Sequence, residues 1–226
     1  MAKNKLQHFA DMKTMPFVFE PNTSVVMADA FEMKGNWHSD FFKNDHPIVV
    51  ELGCGKGEYT VALAKLNPKV NYIGIDIKGA RIWYGANEVR EKKLKNVSFV
   101  RTKIDFITSI FAPNEVSEIW LTFSDPQKEK PRKRLTSSLF IKRYREILQP
   151  NGIIHLKTDS DLLFEFTLEE IEQNNYNCLQ QSWDIYKDLI PKISAEQAEI
   201  LKIKTNYEEI FSAKGNSIKY CQFKIN

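Results

Sequence analysis

The residues of this chain best suited to chemistry cluster around one acid that ends an apolar run. In EIWLTFSDPQKEKPRKRLT, Asp125 closes the run, and Lys128, Lys130, Arg132, Lys133 and Arg134 follow within nine positions. A single carboxylate at a strand end can accept hydrogen bonds from N–H groups of a substrate or stabilise positive charge that develops on it. Clustered lysine and arginine neutralise phosphates and so hold a nucleic acid without reading its sequence. The same run could also be no more than a solvated loop. The wider distribution of charge favours function: residues 127–150 carry eight basic and two acidic side chains, whereas residues 151–180 carry one lysine and six acids.

A second constellation lies upstream. The run PIVVEL leads into ELGCGKGEY, which places Gly53, Gly55 and Gly57 between a predicted strand and a predicted helix. Glycines there let the backbone turn tightly and approach a ligand near helix N–H groups, although such loops also serve as plain connectors. The dinucleotide fingerprint G-x-G-x-x-G requires glycine where this chain has Glu58, so a pyrophosphate fits poorly. A carboxylate just before the loop, Glu51, suits a cationic ligand. The next strand ends in Asp76, about twenty residues on, where an acid can accept hydrogen bonds from both hydroxyls of a ribose. Together Glu51, the three glycines and Asp76 resemble the S-adenosylmethionine site of a class I methyltransferase.

The elements that must position these residues alternate. From Pro47 onward, short apolar runs (PIVVEL, VNYIGIDI, VSFVRT, EIWLTF, GIIHLK) are separated by helical stretches, which is the pattern of βαβ units on a parallel sheet covered on both faces. Near the C-terminus, CLQQSWDIY predicts a strand, TNYEEIFSAKG a short helix, and SIKYCQFKI a last strand that enters antiparallel. The expected fold is α/β, a Rossmann-like class I methyltransferase domain over residues 47–226. Its mixed sheet has seven strands, the last one antiparallel, with helices on both faces. Residues 1–46 predict an irregular arm packed on that domain. In an open sheet of this kind ligands bind beyond the carboxyl ends of the strands where strand order reverses, so the strand ending in Asp125 should lie beside the one ending at the glycine loop.

Composition excludes several classes. The chain has 226 residues, enough for one domain with a core of its own. Its net charge of +3 is too small to identify a partner. Cys54, Cys178 and Cys221 are odd in number and far apart, so neither a disulfide framework nor a zinc site is indicated. His8, His38, His46 and His155 have no metal-ligand spacing, and the four tryptophans, Trp37, Trp83, Trp120 and Trp183, are expected in the core. No apolar run approaches a membrane span, and the first residues lack the apolar stretch of a secretory signal. These features predict a cytoplasmic protein with no metal and no membrane partner; its oligomeric state, monomer or homodimer, is left open.

FSDPQKEKPRKRLTSSLF, GIIHLKTDS and TNYEEIFSAKG, in this order, resemble the bacterial tRNA (guanine-N7-)-methyltransferase family, and the match extends from about Lys34 to the end. That family carries F-S/P-D-P, a basic segment, K-T-D after the fifth strand, and T-x-Y-E near the C-terminus. The resemblance implies methyl transfer from S-adenosylmethionine to a guanine in the variable loop of tRNA. It also implies cofactor contacts from Glu51, the glycine loop and Asp76, with Asp125 shared between cofactor and base. Substrate contacts are implied for Asp159, for Thr205, Asn206, Tyr207 and Glu208, and for Lys128 or Lys130. Read without the family, Asp159 could cap a helix and Glu208 could be a first-turn acid favoured by the helix dipole. The chain departs from the pattern at Gln127, where the family has Trp, and at Lys103, where an acid is expected near the adenine. There the backbone of Lys103 and Ile104 would supply the contact. Another nucleic-acid methyltransferase of the same fold, or a non-catalytic RNA-binding protein, are the rival readings.

Overall fold

The computed structural model describes residues 2–225. Its sheet is built from strands β1 (Val18–Phe19), β2 (Ile48–Leu52), β3 (Asn71–Asp76), β4 (Val97–Arg101), β5 (Val116–Thr122), β6 (Leu148–Thr158), β7 (Asn177–Ser182) and β8 (Lys219–Lys224). The order across the sheet is β1-β4-β3-β2-β5-β6-β8-β7. Neighbours from β1 through β6 run parallel, and β8 enters antiparallel between β6 and β7. Strands β2 to β4 are rich in valine, isoleucine and aromatic side chains and buried on both faces, as central parallel strands must be. Alternate residues therefore enter two separate cores. Val50, Leu52 and Ile73 face one, while Val49, Tyr72 and Phe99 face the other.

The helices are α1 (Ala2–Met12), α2 (Thr23–Met27), α3 (Glu58–Leu66), α4 (Gly79–Lys92), α5 (Ser138–Ile147), α6 (Asp161–Gln173), α7 (Ala195–Leu201) and α8 (Asn206–Ser212). Helices α3 and α4 bury residues in the second core, α5 and α6 in the first. After β2 the chain proceeds outward through β3 and β4, then returns across the sheet to β5 and β6. The order thus reverses between β2 and β5, which pair directly through Val49–Glu118, Val50–Ile119 and Glu51–Trp120.

The sheet has eight strands where seven are expected. The extra one, β1, is two residues long and comes from the N-terminal segment, pairing Val18 with Phe99 and Phe19 with Val100. Two-residue strands leave no periodic trace in a sequence. This segment is also more regular than its turn signals imply, since it contains α1, α2 and a π-helical turn over Trp37–Phe42. Trp37 is fully buried, donates its indole N–H to the Ile110 carbonyl at 3.1 Å, and has Phe19, Phe31, Phe41, Phe42 and Phe111 around it. Trp120 is likewise buried, whereas Trp183 is 45% exposed and meets Phe164 edge-on, because β7 stops at Ser182 and the chain turns away. Helix α7 has no counterpart in the sequence reading.

Trp37→Ala should lower the unfolding free energy by ~3–5 kcal/mol, the usual cost of emptying a large aromatic site. Urea denaturation followed by circular dichroism measures this, and a loss below ~1 kcal/mol would mean that the segment is only loosely attached.

Candidate active site

The carboxyl ends of β2, β3, β4, β5 and β6 lie along one edge, as their parallel register requires: Leu52 pairs with Ile75, Asp76 with Arg101, and Thr122 with Lys157. At the reversal point the glycine loop leaves β2. Gly53, Gly55 and Gly57 have φ of 80°, 56° and 72°, a left-handed region that other residues occupy only with strain. They do different work. A methyl group on Gly53 would have nothing within 4 Å, and on Gly55 only the Gly53 carbonyl, so the loop is open above these two. A methyl on Gly57 would meet the Phe99 ring at 2.7 Å; this glycine lets α3 pack onto the sheet.

Asp76 fastens the cradle. One carboxylate oxygen accepts the Gly55 N–H at 2.9 Å and the other accepts the Lys78 N–H at 2.7 Å, joining the loop to the turn that opens α4. Each oxygen retains acceptor capacity for a ligand hydroxyl. Ile77, the next residue, is 50% exposed at the same edge. An apolar side chain left open beside a polar cradle can pack on a flat ring, a feature that sequence reasoning missed because burial pattern alone predicts such a residue inside. Lys103 is exposed and Ile104 half-exposed just beyond β4, where the Thr102 N–H bonds the Asp76 carbonyl at 3.2 Å.

Glu51 lies below the loop and is almost wholly enclosed. Its carboxylate accepts from the Thr60 N–H at 2.9 Å and from the hydroxyls of Thr60 and Thr122. Burial pushes its pKa up to about 7 against those donors. Thr122 ends β5, three residues before Asp125, so this one side chain ties the glycine loop, α3 and the acid loop together. Asp125 itself is exposed and accepts the Gln127 N–H at 2.9 Å. Phe123 and Gln127, which bracket it, both have left-handed backbones (φ 49° and 45°), a costly conformation for such side chains and one that concentrates at functional sites.

Of the basic run, Lys128, Lys130, Arg132 and Lys133 are exposed. Arg134 is not: it is 5% exposed, donates to the Pro126 carbonyl at 2.9 Å and covers the Phe166 ring, so it braces the loop instead of facing an anion. Asp159 is half-exposed, and the cap of α6 is Ser160, whose hydroxyl accepts the Leu163 N–H. The Asp159 carboxylate is therefore not needed for capping. The C-terminal motif divides. Thr205 is buried and caps α8 through the Glu208 N–H at 3.2 Å, and Glu208 is fully enclosed, 2.7 Å from the equally enclosed Lys157 ammonium. Only Asn206 and Tyr207 reach the surface; the Asn206 N–H bonds Glu58 at the start of α3, and the Arg81 guanidinium lies 5.6 Å from the Tyr207 ring. The motif thus sits over the N-termini of α3 and α4, beside the cradle. Among the described residues no cluster of three His, Cys, Asp or Glu could hold a metal, and no helix is long and apolar enough to cross a membrane.

A family model described as a putative methyltransferase matches residues 45–221. A protein of Bacteroides thetaiotaomicron named tRNA (guanine-N(7)-)-methyltransferase is 52% identical over 226 residues, all of this chain and 87% of that one. The chain belongs to the tRNA (guanine-N(7)-)-methyltransferase family. A relative of the same name from Bacillus subtilis is 35% identical over 87% of this chain and 89% of its own length. Among solved structures, the 16S rRNA methyltransferase KamB superposes with a TM-score of 0.65 at 11% identity, over 87% of this chain and 95% of that one, which is a likeness of fold. The class I methyltransferase fold expected from the resemblance of the glycine loop and Asp76 is thereby shown, with one strand more than expected.

Within this family member, Glu51 has a pH signature. In the unfolded chain it ionises near 4.5, in the folded protein only near 7, so between these values the folded form holds the extra proton and stability falls as pH rises. The accumulated cost is ~3 kcal/mol. Glu51→Gln keeps an acceptor for Thr60 and removes the charge. Urea unfolding at a series of pH values should show the variant gaining about that much on the wild type between pH ~4.5 and ~8. A difference independent of pH would refute the assignment.

Proposed function

We propose that this protein transfers the methyl group of S-adenosylmethionine to N7 of a guanine in the variable loop of tRNA. The observation that carries the reading is the shared edge: the open glycine cradle with Asp76 and the acid loop with its exposed lysines meet at one strand reversal, joined through Glu51 and Thr122. The donor set fits the cofactor. The bare space over Gly53 and Gly55 would admit the ligand, Asp76 has acceptor capacity for ribose hydroxyls, Ile77 and the Lys103–Ile104 backbone would border an adenine ring, and Glu51, when ionised, would offset positive charge. When bound, S-adenosylmethionine supplies an electrophilic methyl on a sulfonium.

Guanine N7 has an in-plane lone pair and no proton to lose, so no general base is required. The work of the protein is to hold nitrogen, methyl carbon and sulfur in line, an effect worth up to ~7–11 kcal/mol in favourable cases. Asp125, and Asp159 from the neighbouring strand end, can accept hydrogen bonds from the Watson–Crick N–H groups of guanine. They can also stabilise the positive charge that grows on the ring. Adenine offers no matching pair of donors on that edge. Lys128, Lys130, Arg132 and Lys133 supply phosphate contacts, and Asn206 and Tyr207 border the entrance. Gln127 replaces the family's Trp, so stacking on the base must come from another ring, and Tyr207, 38% exposed, supports that role.

Purified protein should methylate unmodified tRNA at the variable-loop guanosine, mapped by chemical cleavage at 7-methylguanosine; labelling of another atom, or of DNA alone, would overturn the reading. Asp125→Ala should reduce kcat by ~10²–10³-fold, the range for removing one preorganised electrostatic partner, with an unchanged circular dichroism spectrum. Near-normal turnover would remove Asp125 from the reaction.

A further inference from the structure

Lys157 belongs to the K-T-D motif, yet its side chain has no access to substrate: its exposure is zero, as is that of Glu208. Its ammonium donates hydrogen bonds to the carbonyls of Leu201 and Ile203, both at 2.8 Å, and forms an ion pair with Glu208 Oε2 at 2.7 Å. All three partners lie on the stretch that ends α7 and opens α8. The second Glu208 oxygen accepts the Tyr186 hydroxyl. From the other side, the Lys157 carbonyl accepts the Phe123 N–H at 2.9 Å, and the ammonium lies 5.3 Å from the Tyr59 ring and 5.9 Å from that of Phe123. One residue thus grips, by its side chain, the segment that presents Asn206 and Tyr207, and by its backbone the left-handed residue that leads into Asp125.

We infer that Lys157 is a positioning residue for methyl transfer, holding the Asn206–Tyr207 rim and the Asp125 loop in one fixed relation above the cradle. The inference rests on the proposed activity. An apolar residue would fill the same space, but it would not specify where residues 201–208 sit. A buried charge does, because any drift of that segment leaves the ammonium without partners. The bland alternative is an ion pair that only stabilises the core.

The deciding variant is Lys157→Met combined with Glu208→Leu, which removes both charges together and leaves neither stranded. Measured beside the wild type, it should unfold cooperatively and keep its S-adenosylmethionine Kd within about twofold. Its single-turnover transfer to tRNA should slow by about 10²-fold, as expected for a small misplacement of reacting groups. Wild-type rate in the double variant would overturn the inference, as would a loss of cofactor binding that accounts for the slower transfer. No transfer by the wild type would instead defeat the proposed activity, a separate outcome. If the double variant fails to fold, Asn206→Ala with Tyr207→Ala decides: these surface changes should reproduce the slow transfer at unchanged cofactor Kd, and full activity would overturn the role.

Discussion

The rest of the site depends on one buried carboxylate. Glu51 is enclosed at the point where strand order reverses and takes hydrogen bonds from α3 and from the end of β5. A charge there is costly, and burial raises its pKa accordingly. The cost is tolerated because the same group fixes two loops that the chain places seventy residues apart. Without an acceptor at that position, the Thr60 N–H and the Thr122 hydroxyl would lose their partner inside the protein, and unmet donors are expensive. The glycine loop and the acid loop are therefore tied together by these hydrogen bonds as well as by the pairing of β2 with β5.

Around this point charge is sorted by depth. Glu51 is enclosed, Asp76 has each oxygen committed to a backbone N–H, and Asp125 stands exposed with one oxygen held by Gln127. The cations lie outside, at Lys128, Lys130, Arg132 and Lys133, where water screens them. Arg134 turns inward and braces the loop against Phe166. The strained backbones of Phe123 and Gln127 cost of order 1–2 kcal/mol each and are maintained by bonds at either end, Phe123 to Lys157 and Arg134 to Pro126. Such strain aims a short side chain outward from the end of a strand.

The two ends of the chain complete the edge from opposite directions. The N-terminal segment adds β1 to the sheet and seats Trp37 in the core, while Phe9 in α1 lies over the start of α4, close to Gly79 and Arg101. The C-terminal segment crosses the N-termini of α3 and α4 before β8 closes the sheet between β6 and β7.

Much of this was legible in the residue order. Apolar runs and helical period located β2 to β6 and α3 to α6, since a parallel strand must be apolar on both faces and a covering helix on one, while the break in that rhythm near the C-terminus marked the antiparallel strands β7 and β8. Gly53, Gly55, Asp76 and Asp125 could be singled out because left-handed turns and strand-end acids are local properties. Other features were decided only by the tertiary structure. Nothing local tells that Thr122 reaches Glu51, that Arg134 is buried while Lys133 is exposed, or that Glu208 is sealed against Lys157 while Tyr207, one position earlier, faces water. Those assignments depend on which distant groups come to lie within three ångströms, and that follows from strand order and helix packing. The sequence alone determined which chemistry was available; the fold determined which of the acids and cations stay at the surface to perform it, because burial and pairing are properties of the assembled layers.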